Sequence, residues 1–460
     1  MLSPMLGFVA GSLIVLYAYL CYAEGPLPQT PPSFLRHKGD LRWFVAWAMI
    51  GLALIGGMAG FLLKRDLRLE RILLGGGGLA LLFAQTWWRR QDWRFGKAGL
   101  SALLFAVLLT LFYGSPVRTS FDSRWAVHTA MSFARGHWGD LSEYMPILEK
   151  EQLYAIEYAK SRPHTLFPIG VSLLSVPAMA VVSMVHPTFN EGLRYAIPVG
   201  FEGLLAAIYG SLIGVLFYWV VFGRFNSHYV ALAATLVLCF CTSVWSTATR
   251  GLWQHAPVVL MFVVAMILLL EASRRSSIIQ YLGLPLAMSF ISRPSAAVGV
   301  AIFSLYVLIF YRRWFVRYVA WSLLLAVPWI TYNVLTYDAL FPPYYVTTYQ
   351  PQWSISDALL GNLVSPARGL FVYSPILLLA LPGFLVSLRE RSDRALHLTF
   401  AAIIVAHWLV VSRLGNPWWG GHSYGPRFMT DILPFLVYFV AFCLRPSGRP
   451  SGWTKGNARH

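Results

Sequence analysis

Phe167-Pro-Ile-Gly-Val-Ser-Leu-Leu-Ser-Val-Pro-Ala-Met-Ala-Val-Val-Ser-Met-Val185 is the stretch on which the reading of this chain turns. It is apolar enough to be taken for a bilayer span, which needs about 20 apolar residues. Pro168, Gly170 and Pro177 nevertheless favour a broken segment, because proline removes a backbone donor and clashes with the preceding turn. Parity decides between the two readings. Basic clusters at Arg274-Arg275, at Arg312-Arg313 to Arg317, at Arg389 to Arg394 and in the tail from Arg445 to Arg459 are separated by pairs of apolar runs, so all can face the cytoplasm together. A full span at 167–185 would put the turn containing Arg224 outside and invert every later assignment. The expectation is therefore a re-entrant or interfacial segment. The long polar stretches 114–166, 336–368 and 413–431 then share one external face.

Outward from this segment, apolar runs near span length recur at 5–23, 42–63, 72–88, 98–113, 195–222, 229–247, 256–271, 277–292, 295–311, 318–335, 369–387, 396–412 and 432–444. The chain has 460 residues, 57% of them hydrophobic and only 12% charged, where a soluble domain carries about a quarter charged residues. So little charge could not cover a soluble protein of this size. The expected fold class is an all-α polytopic membrane protein with about 12–13 transmembrane helices and amphipathic or juxtamembrane helices in the first long external loop. Residues 1–97 read as N-terminal membrane helices, 98–335 as a membrane module carrying the external loop 114–194, 336–444 as C-terminal membrane helices with two external loops, and 445–460 as a cytoplasmic tail.

The net charge of +17 sits in short clusters between apolar runs. That pattern suits anionic lipid headgroups and argues against nucleic acid, since no basic and aromatic module stands outside the runs. The four cysteines, Cys21, Cys239, Cys241 and Cys443, lie in or at the ends of apolar runs and read as small core residues.

The first loop holds the leading acid. After Asp122, Val127, Ala130, Met131 and Ala134 fall at i, i+3, i+4 and i+7, with Arg124, His128, Ser132 and Arg135 opposite. This predicts a short amphipathic helix on the membrane surface with Asp122 at its N-cap. Spacing alone leaves Asp122 either a capping residue or a general base at the bilayer edge. His128 reads as a polar-face residue or, with less support from spacing, a metal ligand.

Phe121-Asp122-Ser123-Arg124, Gly136-His-Trp-Gly-Asp-Leu141 and His164-Thr-Leu-Phe-Pro-Ile-Gly170, following a hydrophobic helix, resemble the first external loop of GT-C-type glycosyltransferases. These include the protein O-mannosyltransferases and the lipid A aminoarabinose transferases. Ser246 to Pro257 resembles the second external turn of that family and Ser292-Arg293-Pro294 a short external turn. Ser365 to Pro375 and Trp418 to Phe428 are similar to motifs of carrier-dependent bacterial members. The resemblance spans about residues 98–444. It implies a polyprenyl-phosphate sugar as donor, a glycan, lipid or protein as acceptor, Asp122 as catalytic carboxylate, and a juxtamembrane helix at the Pro-Gly run. Many relatives carry a pair of acidic residues in this loop, whereas Asp122 stands alone, which counts against a two-acid or metal-assisted mechanism, with a divalent metal cofactor left open.

Such a transfer asks for cations at the leaving phosphate, and Arg binds phosphate oxygens with a planar fork. Arg427, Arg368, Arg293 and Arg250 all fall on the predicted external face beside Gly, Pro or Ser. Each reads as a phosphate ligand or as an interfacial anchor. Arg124, His128, His422, Tyr424 and Trp419 are the further substrate-binding candidates, the last three lying in a run that reads equally as an aromatic belt at headgroup depth. Gln254-His255 reads first as a cap for the helix that follows. The competing functions are a surface-polysaccharide ligase or polymerase working through Arg and His, and a lipid-linked glycan transporter, against which stand the scarcity of charges inside the spans (Glu202 is the clearest) and the lack of an inverted repeat.

Overall fold

The computed structural model describes residues 97–115, 117, 122–150, 153–185, 199–346, 353–414, 417–421 and 423–445. The apolar runs at 5–23, 42–63 and 72–88, Phe121, His422 and the tail beyond Arg445 lie outside the described residues. The chain divides into two compact units, Met1–Ser115 and Pro116–His460. In the first, the described part is helix α1, Lys97–Tyr113.

The second unit is mostly helical. Its principal helices are α2 (Ala126–Ala134), α3 (Gly170–Val185), α4 (Val199–Phe225), α5 (His228–Phe240), α6 (His255–Ala272), α7 (Gly283–Ser292), α8 (Ala297–Phe310), α9 (Phe315–Tyr337), α10 (Ile355–Val364), α11 (Ala380–Ser387), α12 (Arg394–Leu414) and α13 (Leu433–Cys443). Four helices among the described residues are long and apolar enough to cross a membrane: Gly200–Phe225, His255–Ala272, Arg312–Tyr337 and Arg391–Arg413. They differ in place. The apolar window of Gly200–Phe225 is 78% buried and that of Arg312–Tyr337 only 11%, so α4 forms the centre of the unit and α9 its outer wall. The exposed side chains of α9, such as Leu323, Leu324 and Val327, are those a lipid-facing helix presents.

Residues 170–185 form one continuous helix that contains Pro177, which corrects the expectation of a broken segment. At 16 residues, α3 is about 24 Å long, short of the ~30 Å hydrocarbon core. Its N-terminus is set by Gly170. A Cβ there would meet the Ser292 backbone at 2.5 to 2.7 Å, so only glycine lets α3 close onto the end of α7. The run 369–387 is likewise not one helix, because Pro375 follows an extended Ser374 and restarts the chain as a short turn before α11.

Two strands correct the all-α expectation. β1 (Ile156–Ala159) pairs antiparallel with β2 (Arg162–Thr165) in the register Ile156↔Thr165 to Ala159↔Arg162. Their tip, Lys160-Ser161, has φ of 49° and 64°, the left-handed geometry of a two-residue hairpin turn without the usual Asn-Gly. The Lys160 ammonium compensates by donating to the Leu335 carbonyl (2.7 Å) and pairing with Asp338 (3.0 Å) at the C-terminus of α9. Beneath the hairpin, Trp125, Leu141, Tyr144, Leu148 and Ala155 form a small core of their own. The helix α2 is buried on both faces, with His128 and Ser132 as inaccessible as Val127 and Met131. It is a sandwiched helix and does not lie on a surface as its amphipathic pattern suggested, because 136–166 folds back over its polar side.

Replacing Gly170 with Val is expected to cost about 1–3 kcal/mol through overpacking at the α3–α7 contact. Thermal unfolding of the purified protein would read this as a lowered midpoint, with Gly170→Ala intermediate.

Candidate active site

The turn 122–125 precedes α2, and the buried Trp125 anchors it by donating from its indole N–H to the Tyr154 carbonyl at 3.0 Å. Trp125 occupies the N-cap position of α2, and no side chain caps that helix. The capping role for Asp122 is thereby corrected. Its carboxylate instead accepts from the Tyr154 hydroxyl at 2.9 Å through Oδ1 and pairs with the Arg427 guanidinium through Oδ2. Burial, together with the Asp122 carboxylate beside it, pushes the Tyr154 hydroxyl up, so it stays a proton donor. Asp122 and Arg427, 305 residues apart in sequence, line one small open cleft. One wall is α3 and its approach, Phe167, Pro168 and Val171; the other is Leu252, Trp253 and Gln254.

Glu202, the buried acid of α4, joins these walls. It accepts from the Ser123 hydroxyl beside Asp122 and from the Leu252 backbone N–H at 2.9 Å. Neither end of the cleft can shift without breaking a charge-assisted hydrogen bond in a low-dielectric surrounding.

Arg427 is held from four sides. Its guanidinium lies 4.0 Å over the Trp253 ring. Nε faces the His255 Nε2 at 3.4 Å, Nη1 faces the Gly420 carbonyl at 3.4 Å, and Nη2 takes Asp122. Gly420, Gly421 and Gly425 all have φ between 66° and 75°, a region other residues enter at a cost, and these turns fold the 417–427 loop back so that its carbonyls face inward. Arg368 fixes this loop. Its Nε donates to the Trp419 carbonyl at 2.9 Å and its Nη2 to the Gly421 carbonyl at 2.7 Å.

Behind Arg427 lies a second, wholly buried cluster. His255 Nδ1 is 2.7 Å from Asp431 Oδ1, a partner that favours the proton on Nδ1 and leaves Nε2 to accept from Arg427 Nε at 3.4 Å, while Arg293 Nη1 lies against both ring nitrogens. Arg293 also reaches Asp431 Oδ2 at 3.2 Å, and Ser295 lies 3.5 Å from the same oxygen. Burial alone would raise the Asp431 carboxyl, but Arg293 and the His255 ring outweigh it and hold the acid far below the usual carboxylate range. His255 thus begins α6 as a polar contact residue, and Gln254 makes no side-chain cap, which corrects the capping role expected for that pair.

The other sequence candidates separate from the cleft. Arg250 is buried with its guanidinium stacked 3.7 Å over Trp245 and its Nε on the Trp245 carbonyl. Arg368 is a loop clamp. His128 packs edge-on between Trp125 and Tyr144, and Arg124, partly exposed on the same turn, does not line the cleft. Trp419 rests against Trp353 and Trp418, and Tyr424 against Tyr373, both largely exposed on the loop rim. His422 lies outside the described residues. Among the described residues no three His, Cys, Asp or Glu side chains converge in a metal-binding group. Sequence reading missed Tyr154 and Trp253, which sit in segments with no periodicity to single them out.

No family model matches the chain, and neither the curated proteins nor the solved structures contain a match to it.

Burial lowers the His128 ring from 6.5 to about 4. An imidazole that is neutral when folded and protonates readily when unfolded contributes stability that is full above pH 6.5 and falls as pH drops toward 4, by roughly 3 kcal/mol in all. Unfolding midpoints measured across that window are expected to decline in the native protein and to flatten in His128→Gln. Asp431→Asn, which strips a buried Arg of its carboxylate, is expected to destabilise by about 3–5 kcal/mol, readable as loss of folded protein in size-exclusion chromatography.

Proposed function

We propose that this chain is a multi-span membrane glycosyltransferase of the GT-C type, with about 12–13 transmembrane helices, moving a sugar from a polyprenyl-phosphate donor to a lipid, glycan or protein acceptor. The reaction is placed at the external face of a bacterial inner membrane. The observation that carries this reading is the meeting of Asp122 and Arg427 in one cleft: a carboxylate suited to receive a hydroxyl proton beside a guanidinium suited to a phosphate. Apolar helices long enough to cross a membrane support a lipid-linked substrate.

In this mechanism the acceptor hydroxyl gives its proton to Asp122 as its oxygen bonds to the anomeric carbon of the sugar. The bond from that carbon to the phosphate oxygen breaks, and its electron pair goes to the leaving polyprenyl phosphate. Arg427 neutralises the charge that develops there, a task worth most inside a dry cleft. Trp253 supports the guanidinium from beneath. Arg293 stands one step behind, across His255, and sets the position of Arg427 without facing the cleft. The phosphate role expected of Arg250 and Arg368 is not part of this mechanism, since both are engaged elsewhere.

The contact of Arg427 with His255 favours one further reading, a polysaccharide ligase or polymerase that works through Arg and His and does not use a carboxylate base. The two separate on one variant. Asp122→Asn is expected to lower transfer in membranes by about 10²–10⁴-fold while expression and donor binding persist; full activity in that variant would sink the transferase mechanism, and full activity with loss at Arg427→Gln would favour the ligase.

A further inference from the structure

The two oxygens of Asp122 are not equivalent. Oδ1 accepts from the Tyr154 hydroxyl at 2.9 Å, and Oδ2 is taken by the Nη2 of Arg427. Among the described residues, Asp122 and Arg427 are the charged side chains in the lining of the cleft, one of each sign, and they pair with each other. Both side chains keep access to the cleft, with 19% and 13% of their surface exposed. Nε and Nη1 of Arg427 face His255 and Gly420, and its plane rests on Trp253. The guanidinium would therefore keep its place if Nη2 changed partner.

On the transferase reading given above, we propose that the Asp122–Arg427 pair is a latch that masks the base until the phosphate of the donor claims Arg427. An anionic phosphate entering this cleft meets Arg427, the cation among its described lining residues, and finds it occupied by the base. Phosphate oxygens compete with Oδ2 for Nη2, since a guanidinium takes phosphate as readily as carboxylate, and the rest of the bound donor holds the phosphate there. Once displaced, Oδ2 turns toward the acceptor hydroxyl while Tyr154 keeps Oδ1 in place, so Tyr154 is a positioning residue. Without donor, Oδ2 stays directed at the guanidinium and is not offered to water or to an acceptor. The order of events is then donor before acceptor activation, imposed by charge and not by a moving lid.

The test uses the purified full chain in nanodiscs and a short-chain polyprenyl phosphate that carries no sugar. Reaction of Asp122 with a water-soluble carbodiimide is followed by mass spectrometry of its peptide, and binding of the phosphate is followed by calorimetry in the native protein and in Asp122→Asn. The expected result is a several-fold rise in Asp122 labelling when the phosphate is added, together with at least tenfold tighter binding in Asp122→Asn, where the internal competitor is neutral. Phosphate that binds yet leaves labelling unchanged or protects Asp122 would overturn the latch and leave the transferase reading standing. Phosphate that binds neither protein would overturn that reading and the latch with it.

Discussion

The carboxylate of Asp431 is fully buried, and a buried charge persists only where it is paired and hydrogen-bonded on every side. Arg293, from the turn between α7 and α8, and His255, from the first turn of α6, supply those partners. His407 of α12 lies close to the same acid, 3.9 Å from its Oδ2, and its Nε2 donates to the Phe428 carbonyl at 2.9 Å. One acid thus ties together the ends of four helices that the chain visits at widely separated points. Because His255 also touches Arg427, the orientation of the cleft guanidinium depends on this buried junction. The Asp122–Arg427 pair and the fold share the same hydrogen-bond network.

The first loop is held to the same standard by different means. It carries a small apolar core of its own around Trp125 and Tyr144, and its hairpin is pinned at the tip to the end of α9. Glu202 then links the Asp122 turn to the 252–254 segment. The loop that carries Asp122 is thus fastened by three independent attachments. Among the four Arg residues on the predicted external face, the attachments also divide the labour. Arg250 and Arg368 shape the backbone, Arg293 balances a buried acid, and Arg427 alone of the four presents a face to the cleft.

Much of the local structure follows from composition and period. Long apolar runs become helices such as α4 and α6 because a run of that length satisfies its backbone internally. Ser292-Arg293-Pro294 becomes a turn because the residue before proline leaves the helical region, and Arg293 is extended, with φ of −163° and ψ of 130°. Asp122 and Arg427 could be selected as chemically apt residues in polar stretches. The hairpin was not legible, since its turn carries Lys160-Ser161 where a glycine or asparagine would have signalled it. Nor was the burial of α2, whose polar face packs against a loop that has no pattern of its own.

What the sequence by itself determined is therefore a chain of apolar helices with a few charged residues at their ends and in their loops, a consequence of short-range spacing and hydrophobicity. Which of those charges meet was decided only in three dimensions. Asp122 and Arg427 are neighbours because α3, the 252–254 segment and the glycine turns at 420 to 425 converge, and Arg368 leaves the list of cleft residues because its donors reach backbone carbonyls 51 and 53 residues away. Charge pairing depends on distance in space, falling off within a few ångströms, and separation along the chain carries no record of it.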